Sequence, residues 1–229
     1  MIRVMSSDTR TGEAKTMLRC AACGEVSRQG EPLDPPDDAP PDLDLRPGGR
    51  ARRSLASWLQ QCPACGYAAT RVDAGHVHDI EPIVRGAEYQ SLRTSPALPP
   101  AARPFACYAL ILELLGHLGD SGLVSLQAAW ASDDAGDAAA ALTCRTRALD
   151  LWKHGKHAGQ AFADDHAQEF CLVADILRRA GRMDEALVAV REGSLLPGLP
   201  PALTALLAFQ LDLIERGDQA AHSLGEVAG

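Results

Sequence analysis

Cys20-Ala-Ala-Cys23-Gly and Cys62-Pro-Ala-Cys65-Gly are the stretches of this sequence whose residue types and spacing are best suited to chemistry. Two residues between cysteines let both thiolates reach one ion from a tight turn. The glycine that follows permits a positive φ and turns backbone N–H groups toward the sulfurs. Four thiolates make the closed tetrahedral shell of a structural zinc. A lone C-x-x-C is also the spacing of a redox pair, but two of them, both followed by glycine, argue against that reading. The expectation is one structural Zn2+ on Cys20, Cys23, Cys62 and Cys65. A shell of four protein ligands leaves no position for an activated water, which disfavours metal-assisted hydrolysis.

Other candidate groups are weaker. His76 and His78 form an H-x-H pair that would share one side of a strand, which opens an alternative reading as an enzyme with a second metal. Their ordinary reading is a solvated surface feature. Arg46, Arg50, Arg52 and Arg53 follow the acidic run Glu31, Asp34, Asp37, Asp38, Asp42 and Asp44. This acid-to-base switch can fold back on itself, or its arginines can contact an acidic partner or a phosphate. Cys107, Cys144 and Cys171 fall on or near the apolar faces of expected helices, where a thiol behaves as a small hydrophobe. His154 and His157 follow a helix end, where polar and cationic groups are favourable. No phosphate-binding glycine loop, nucleophile elbow or H-E-x-x-H is present.

The elements that must carry these residues divide the chain. Residues 1–16 read as a polar tail, 17–93 as a zinc-ribbon-like module, 94–103 as a linker and 104–229 as a helical domain. The two Cys pairs are separated by residues 24–61, or 38 residues, against the ~15–20 usual between such pairs. Much of that excursion is GEPLDPPDDAPPDLDLRPGG, whose prolines and lack of apolar period predict an irregular loop. Trp58 and Tyr67 flank the second pair and are expected to pack on the metal turn. A short helix fits within 76–93.

From Pro104 the apolar spacing is helical. Phe105, Tyr108, Leu112 and Leu115 mark a first helix with Gly119 as its stop. A second, capped by Asp120 or Ser121, carries Leu123, Leu126 and Trp130 up to Gly136. A third runs through AAAALTCRTRALDLW, with Leu142, Leu149 and Trp152 on one face and Ala141, Cys144, Ala148 and Leu151 on another. A fourth follows Asp164 and Asp165 and ends at Gly181. A fifth begins at Met183, and a sixth runs from Pro200 and Pro201 to Gly217. Ala135-Gly136 and Ala180-Gly181 each precede an Ala-Leu pair by four residues, an echo at an offset of 45. That is longer than the ~34 of regular tetratricopeptide arrays, so irregular hairpin repeats are expected. The fold class is mainly α: a small zinc-ribbon-like module with four cysteine ligands, followed by tetratricopeptide-like helical hairpins.

Composition agrees. Apolar residues make up 46% and aromatics only 4%, so alanine and leucine supply the core, which favours close-packed helices over strands. The net charge is −8. It is carried mostly by residues 81–229, so the helical half would repel a phosphate backbone. The first residues lack the apolar run of an export signal, no stretch approaches the ~18 residues of a membrane span, and seven cysteines fit a reducing cytoplasm.

The segments DLDLRP (42–47) and WLQQCPACGYAA (58–69), with Cys20 and Cys23, resemble a zinc-ribbon module in a family of uncharacterised bacterial proteins. In that family a first Cys pair, a D-x-D element and C-P-x-C-G-Y-A precede a tetratricopeptide-like region. Cys20, Cys23, Asp42, Asp44, Cys62, Pro63, Cys65, Gly66, Tyr67 and Ala68 stand at matching points, while the first knuckle, C-A-A-C-G, lacks the family's proline. The resemblance covers about residues 17–70. It implies a cytoplasmic bacterial protein and brings no activity with it. The functional expectation is a non-enzymatic adaptor whose helical surface binds a protein partner. The alternative is a nucleic-acid-associated regulator using Arg46 to Arg53.

Overall fold

A computed structural model describes residues 15–31, 38–75, 79–163 and 165–227. In chain order the elements are β1 (Lys15–Arg19), β2 (Val26–Gly30), α1 (Gly49–Arg53), a 3-10 turn (Leu55–Ser57), β3 (Gln60–Gln61), β4 (Ala68–Ala69), α2 (Glu81–Arg85), α3 (Ala87–Thr94), α4 (Arg103–Leu114), α5 (Leu118–Asp134), α6 (Ala138–His157), α7 (His166–Arg179), α8 (Met183–Ser194), α9 (Pro201–Glu215) and α10 (Leu224–Val227). The chain is mainly helical, with two small antiparallel hairpins at its N-terminal side, β1–β2 and β3–β4. Lys15 and Thr16, read from sequence as tail, pair with Gly30 and Gln29 in the first hairpin.

The pairs α4–α5, α5–α6 and α7–α8 fold back on themselves across glycine turns of one kind. Gly136 (φ +73) joins α5 to α6, and Gly181 (φ +74) joins α7 to α8. Each turn is closed by a backbone bond that reaches back into the preceding helix: Asp137 N to Ser132 O at 3.0 Å, and Arg182 N to Leu177 O at 2.9 Å. Left-handed backbone at this place satisfies the orphan carbonyls of the helix end, and glycine adopts it without a Cβ clash. The first expected stop is displaced. Gly116, not Gly119, ends α4, with His117 N bonded to Leu112 O at 2.8 Å. Gly119 lies inside α5, where a Cβ would sit 2.6 Å from the Ala161 carbonyl oxygen. Leu142, placed by periodicity on an apolar face of α6, is exposed. The buried face instead runs through Ala141, Cys144, Ala148, Leu149 and Leu151.

Two hydrophobic cores share α4 as a common wall. Phe105, Ala109 and Leu112 face the helical core, with Leu126, Trp130, Leu149, Ile176 and Leu207. Cys107, Leu110 and Ile111 face a second core that contains Cys20, Cys62, Tyr67, Val72 and Tyr89. Tyr67 packs beside the cysteines as its position suggests. Trp58 does not: it meets Trp130 edge-on, with ring centroids 6.5 Å apart, in the helical core.

The irregular excursion also has a fixed place. Residues 38–46 lie across the ends of the helical hairpins as a strap, with Leu43 in the helical core. The strap is held by the chain's C-terminal segment. Leu43 N donates to His222 O and Leu224 N donates to Pro41 O, both at 2.8 Å, around a bridge between Asp42 and Ser223.

The His222 ring lies between two carboxylates, 3.0 Å from Asp218 and 2.8 Å from Glu226. Partial burial lowers its pKa, but these carboxylates outweigh that and hold the imidazolium above its ordinary value. A group raised in the folded state stabilises it fully below the unfolded pKa of ~6.5, and the gain fades as pH rises through the folded value. His222→Gln is therefore expected to lower the melting temperature more at pH ~5.5 than at pH ~9. A gap that stays constant across that range would show that the ring's charge contributes nothing to stability at the C-terminal segment that holds the strap.

Candidate metal centre

The two C-x-x-C-G segments fold into congruent knuckles. In the first, Gly24 (φ +75) donates its N–H to Cys20 O at 2.9 Å. In the second, Gly66 (φ +81) donates to Cys62 O, also at 2.9 Å. Tyr67 N lies 3.5 Å from the Cys65 sulfur, the backbone-to-sulfur bond that the glycine turn makes available. The knuckles face each other, with Cys20 Sγ 3.7 Å from Cys65 Sγ and Cys23 Sγ 3.7 Å from Cys62 Sγ. All four sulfurs lie within 4.8 Å of one another. A disulfide needs ~2.05 Å between sulfurs. A tetrahedral zinc with Zn–S of ~2.3 Å has edges of ~3.8 Å. The spacing therefore fits four ligands around one ion and excludes bonded pairs.

Cys20 and Cys62 are buried, and Cys23 and Cys65 are half-buried. Burial pushes the thiols of Cys20 and Cys65 up. In Cys62 burial is outweighed by the N–H groups of Cys65 and Ala64, which hold its thiol below its ordinary value. Four anionic sulfurs cannot share so small a volume without a cation, so binding of the metal and release of protons are one event.

The chain around the knuckles explains how a 38-residue excursion leaves the cluster intact. Two buried glutamines stitch the hairpins together: Gln29 Nε2 donates to Gln61 O at 3.1 Å and Gln60 Nε2 to Gly30 O at 2.8 Å, while Gln60 Oε1 accepts from Val72 N at 3.0 Å. From α3, the fully buried Tyr89 inserts behind the second knuckle. Its hydroxyl accepts from Ala68 N at 3.0 Å and donates to Gly66 O at 2.9 Å. Sequence reasoning missed Gln29, Gln60 and Tyr89. Gln29 and Gln60 carry no sequence signal for burial, and the signal at Tyr89 is that it is the one aromatic in the largely polar stretch AEYQSLRT. Cys107, Cys144 and Cys171 are buried apart from the cluster, and burial pushes the thiols of Cys144 and Cys171 to about 11. His76 and His78 lie outside the described residues.

The four candidate arginines do not act as a group. Arg46 is buried, and its guanidinium meets Asp133 at 3.5 Å and also Asp134. Arg50 binds Asp38 at 2.7 Å. Arg52 binds Asp134 at 3.1 Å and lies 3.9 Å from Asp42. Arg53 is exposed and, among the described residues, makes no hydrogen bond or ion pair.

Arg46 belongs to a buried network that the sequence does not announce. Asp44, fully buried, accepts from Trp130 Nε1 at 3.0 Å, from Arg179 at 2.8 Å and from its own strap at Arg46 N, with Arg145 3.8 Å away. Asp133 receives Arg145, and Arg179 at 2.8 Å. Burial alone would raise Asp133, but its bonds to Arg145 hold the carboxyl below the ordinary range. The hairpin echo gives this network its logic. Asp133 and Asp134 before Gly136 stand where Arg178 and Arg179 stand before Gly181, so the two hairpin ends carry opposite charge and bind each other and the strap.

Protein-family models, curated proteins and solved structures offer no match to this chain. The class that fold and site define is therefore a helical-hairpin protein carrying a four-cysteine cluster able to hold one metal ion. The resemblance to a bacterial zinc-ribbon family keeps only that cluster and the helical region as support.

Chelation of the metal, or Cys62→Ser, is expected to lose metal-binding energy on the order of 10 kcal/mol and with it the near-UV signature of the β-hairpin core. An unchanged melting curve after complete metal removal, checked by elemental analysis, would contradict a structural role. Asp44→Ala leaves Arg179 and Arg145 short of a buried counter-charge and is expected to cost about 3–5 kcal/mol in chemical denaturation. A loss below about 1 kcal/mol would show that the strap is not anchored by this carboxylate.

Proposed function

We propose that this chain is a non-enzymatic, cytoplasmic interaction protein in which one structural zinc on Cys20, Cys23, Cys62 and Cys65 fixes the N-terminal module and the helical surface binds a protein partner. The observation that carries the partner reading is an apolar cleft of about 300 Å³ between α3, α4, α5 and α6. Leu92, Leu98, Ala109, Leu110, Ala128 and Cys144 line it. Glu88 and the Glu113–Arg147 ion pair form its rim. An apolar concavity with a few polar groups at its edge suits the side chains of a docked segment. The zinc reading is supported by the 3.7 Å edges of the sulfur cluster, and thiolate ligands in that geometry favour zinc over hard cations.

The nucleic-acid reading has less support. Three of its four arginines are engaged by aspartates of the same chain, which leaves Arg53 as its one unpaired cation among the described residues. No helix among the described residues is long and apolar enough to cross a membrane.

Thr143 is exposed on the cleft wall, so Thr143→Trp fills the cleft without disturbing the core. A partner isolated with the zinc-loaded full chain should lose at least tenfold in affinity to this variant, measured by calorimetry. A partner that binds both proteins equally would place the interface elsewhere. Metal analysis showing another ion at one equivalent would overturn the zinc assignment.

A further inference from the structure

We propose that a second cleft, between α1 and the ends of α4 and α5, binds a small amphipathic monoanion, an apolar body bearing one carboxylate, with Arg53 taking the charge. This cleft shares no lining residue with the one assigned to a protein partner, so either site can fail its test while the other stands.

The cleft measures about 500 Å³, within the ~300–1,000 Å³ of small-molecule sites. Leu55, Ala56, Ala101, Phe105 and Ala131 give it apolar walls. Its charged residues are Arg52, Arg53 and Asp134. Counting their partners decides the ligand's charge. Asp134 is bound by Arg46 and Arg52, and Arg52 also faces Asp42. Arg46 also meets Asp133, which with Asp44 is bound by Arg145 and Arg179, so the connected set of four arginines and four aspartates balances. Arg53 is left over, with no ion pair or hydrogen bond among the described residues. Glu31 lines the polar cleft on the other side of Arg53 but forms no ion pair with it.

One surplus positive charge beside an apolar cavity matches one negative charge on an apolar molecule. The planar guanidinium fork fits a carboxylate through two parallel bonds. A phosphate dianion would bring a second charge toward Asp134, and the residues lining the cleft hold no second unpaired cation to meet it. A neutral molecule of the same shape would leave Arg53 solvated and gain only from burial. Two sources offer the required chemistry: a free medium-chain carboxylate, and the C-terminus of a peptide that ends in an aliphatic residue.

The test is calorimetric titration of the metal-loaded full chain with octanoate, octanol, octyl phosphate and a hexapeptide ending in leucine, its terminus free or amidated. Saturable octanoate binding at least tenfold tighter than octanol is expected, about the scale of one charge-assisted hydrogen bond. Arg53→Gln should bring octanoate to the octanol level, and Arg53→Lys should recover part of the loss. Ala56→Trp, which fills the cleft from an exposed position, should abolish binding of both; melting curves check that each variant is folded. A free-acid peptide that outcompetes octanoate, with its amide inactive, assigns the site to a protein terminus. The reverse order assigns it to a free carboxylate. Equal binding of octanoate and octanol, insensitivity to Arg53→Gln, tighter binding of octyl phosphate, or no saturable binding by either carboxylate would overturn the proposal.

Discussion

The carboxylate of Asp44 has no exposure to water, and it is surrounded by an indole N–H, two arginines and the backbone of its own strap. A buried charge survives only where paired and hydrogen-bonded, so the position of this one group dictates much around it. It requires Arg179 at the end of α7, Arg145 in α6 and Trp130 in α5 to converge, which fixes how the two hairpins stand against each other. Asp133 repeats the demand from the helical side. Such a network contributes little net stability compared with an apolar core, because desolvation offsets the Coulomb attraction. What it supplies is uniqueness: a strap one residue out of register would bury Leu45 and expel Asp44. We read the network as the specifying contact between the excursion and the helices.

The four-cysteine cluster acts at the base of the same segment. Cys20, Cys23, Cys62 and Cys65 close the base of the excursion, while Asp44 and Leu43 secure its middle and His222 and Leu224 cover it from the C-terminus. A long loop loses entropy on closure, but each doubling of its length adds only ~0.6 kcal/mol, so the unusual separation of the knuckles costs little once both ends are tied. The shared helix α4 links these fixings, since one face serves each core.

Arginines that read alike in sequence end in different situations. Arg46, Arg50 and Arg52 are held by aspartates of the same chain, so the charge they would offer a partner is neutralised internally. Of the four, Arg53 alone keeps its charge available among the described residues. By composition the run is one basic patch, whereas pair geometry reduces it to a single cation beside an apolar cleft.

The sequence by itself determined the local features. Two C-x-x-C-G pairs give the four ligands, because the thiolate spacing and glycine turn are properties of five consecutive residues. Pro104, Asp165, Gly136, Gly181 and Gly217 mark helix limits, because capping and left-handed closure act within one turn. Gly119 failed as a stop because a glycine placed for close packing reads the same as one placed for a turn. Only the tertiary structure decided the long-range partners. Trp58 went to Trp130 and not to the metal turn, Tyr89 and two glutamines were recruited to the knuckles, and Asp44 met Arg179, 135 residues away. The physical reason is that ion pairs and buried hydrogen bonds depend on distance in space, and chain spacing carries no record of which segments the packing brings together.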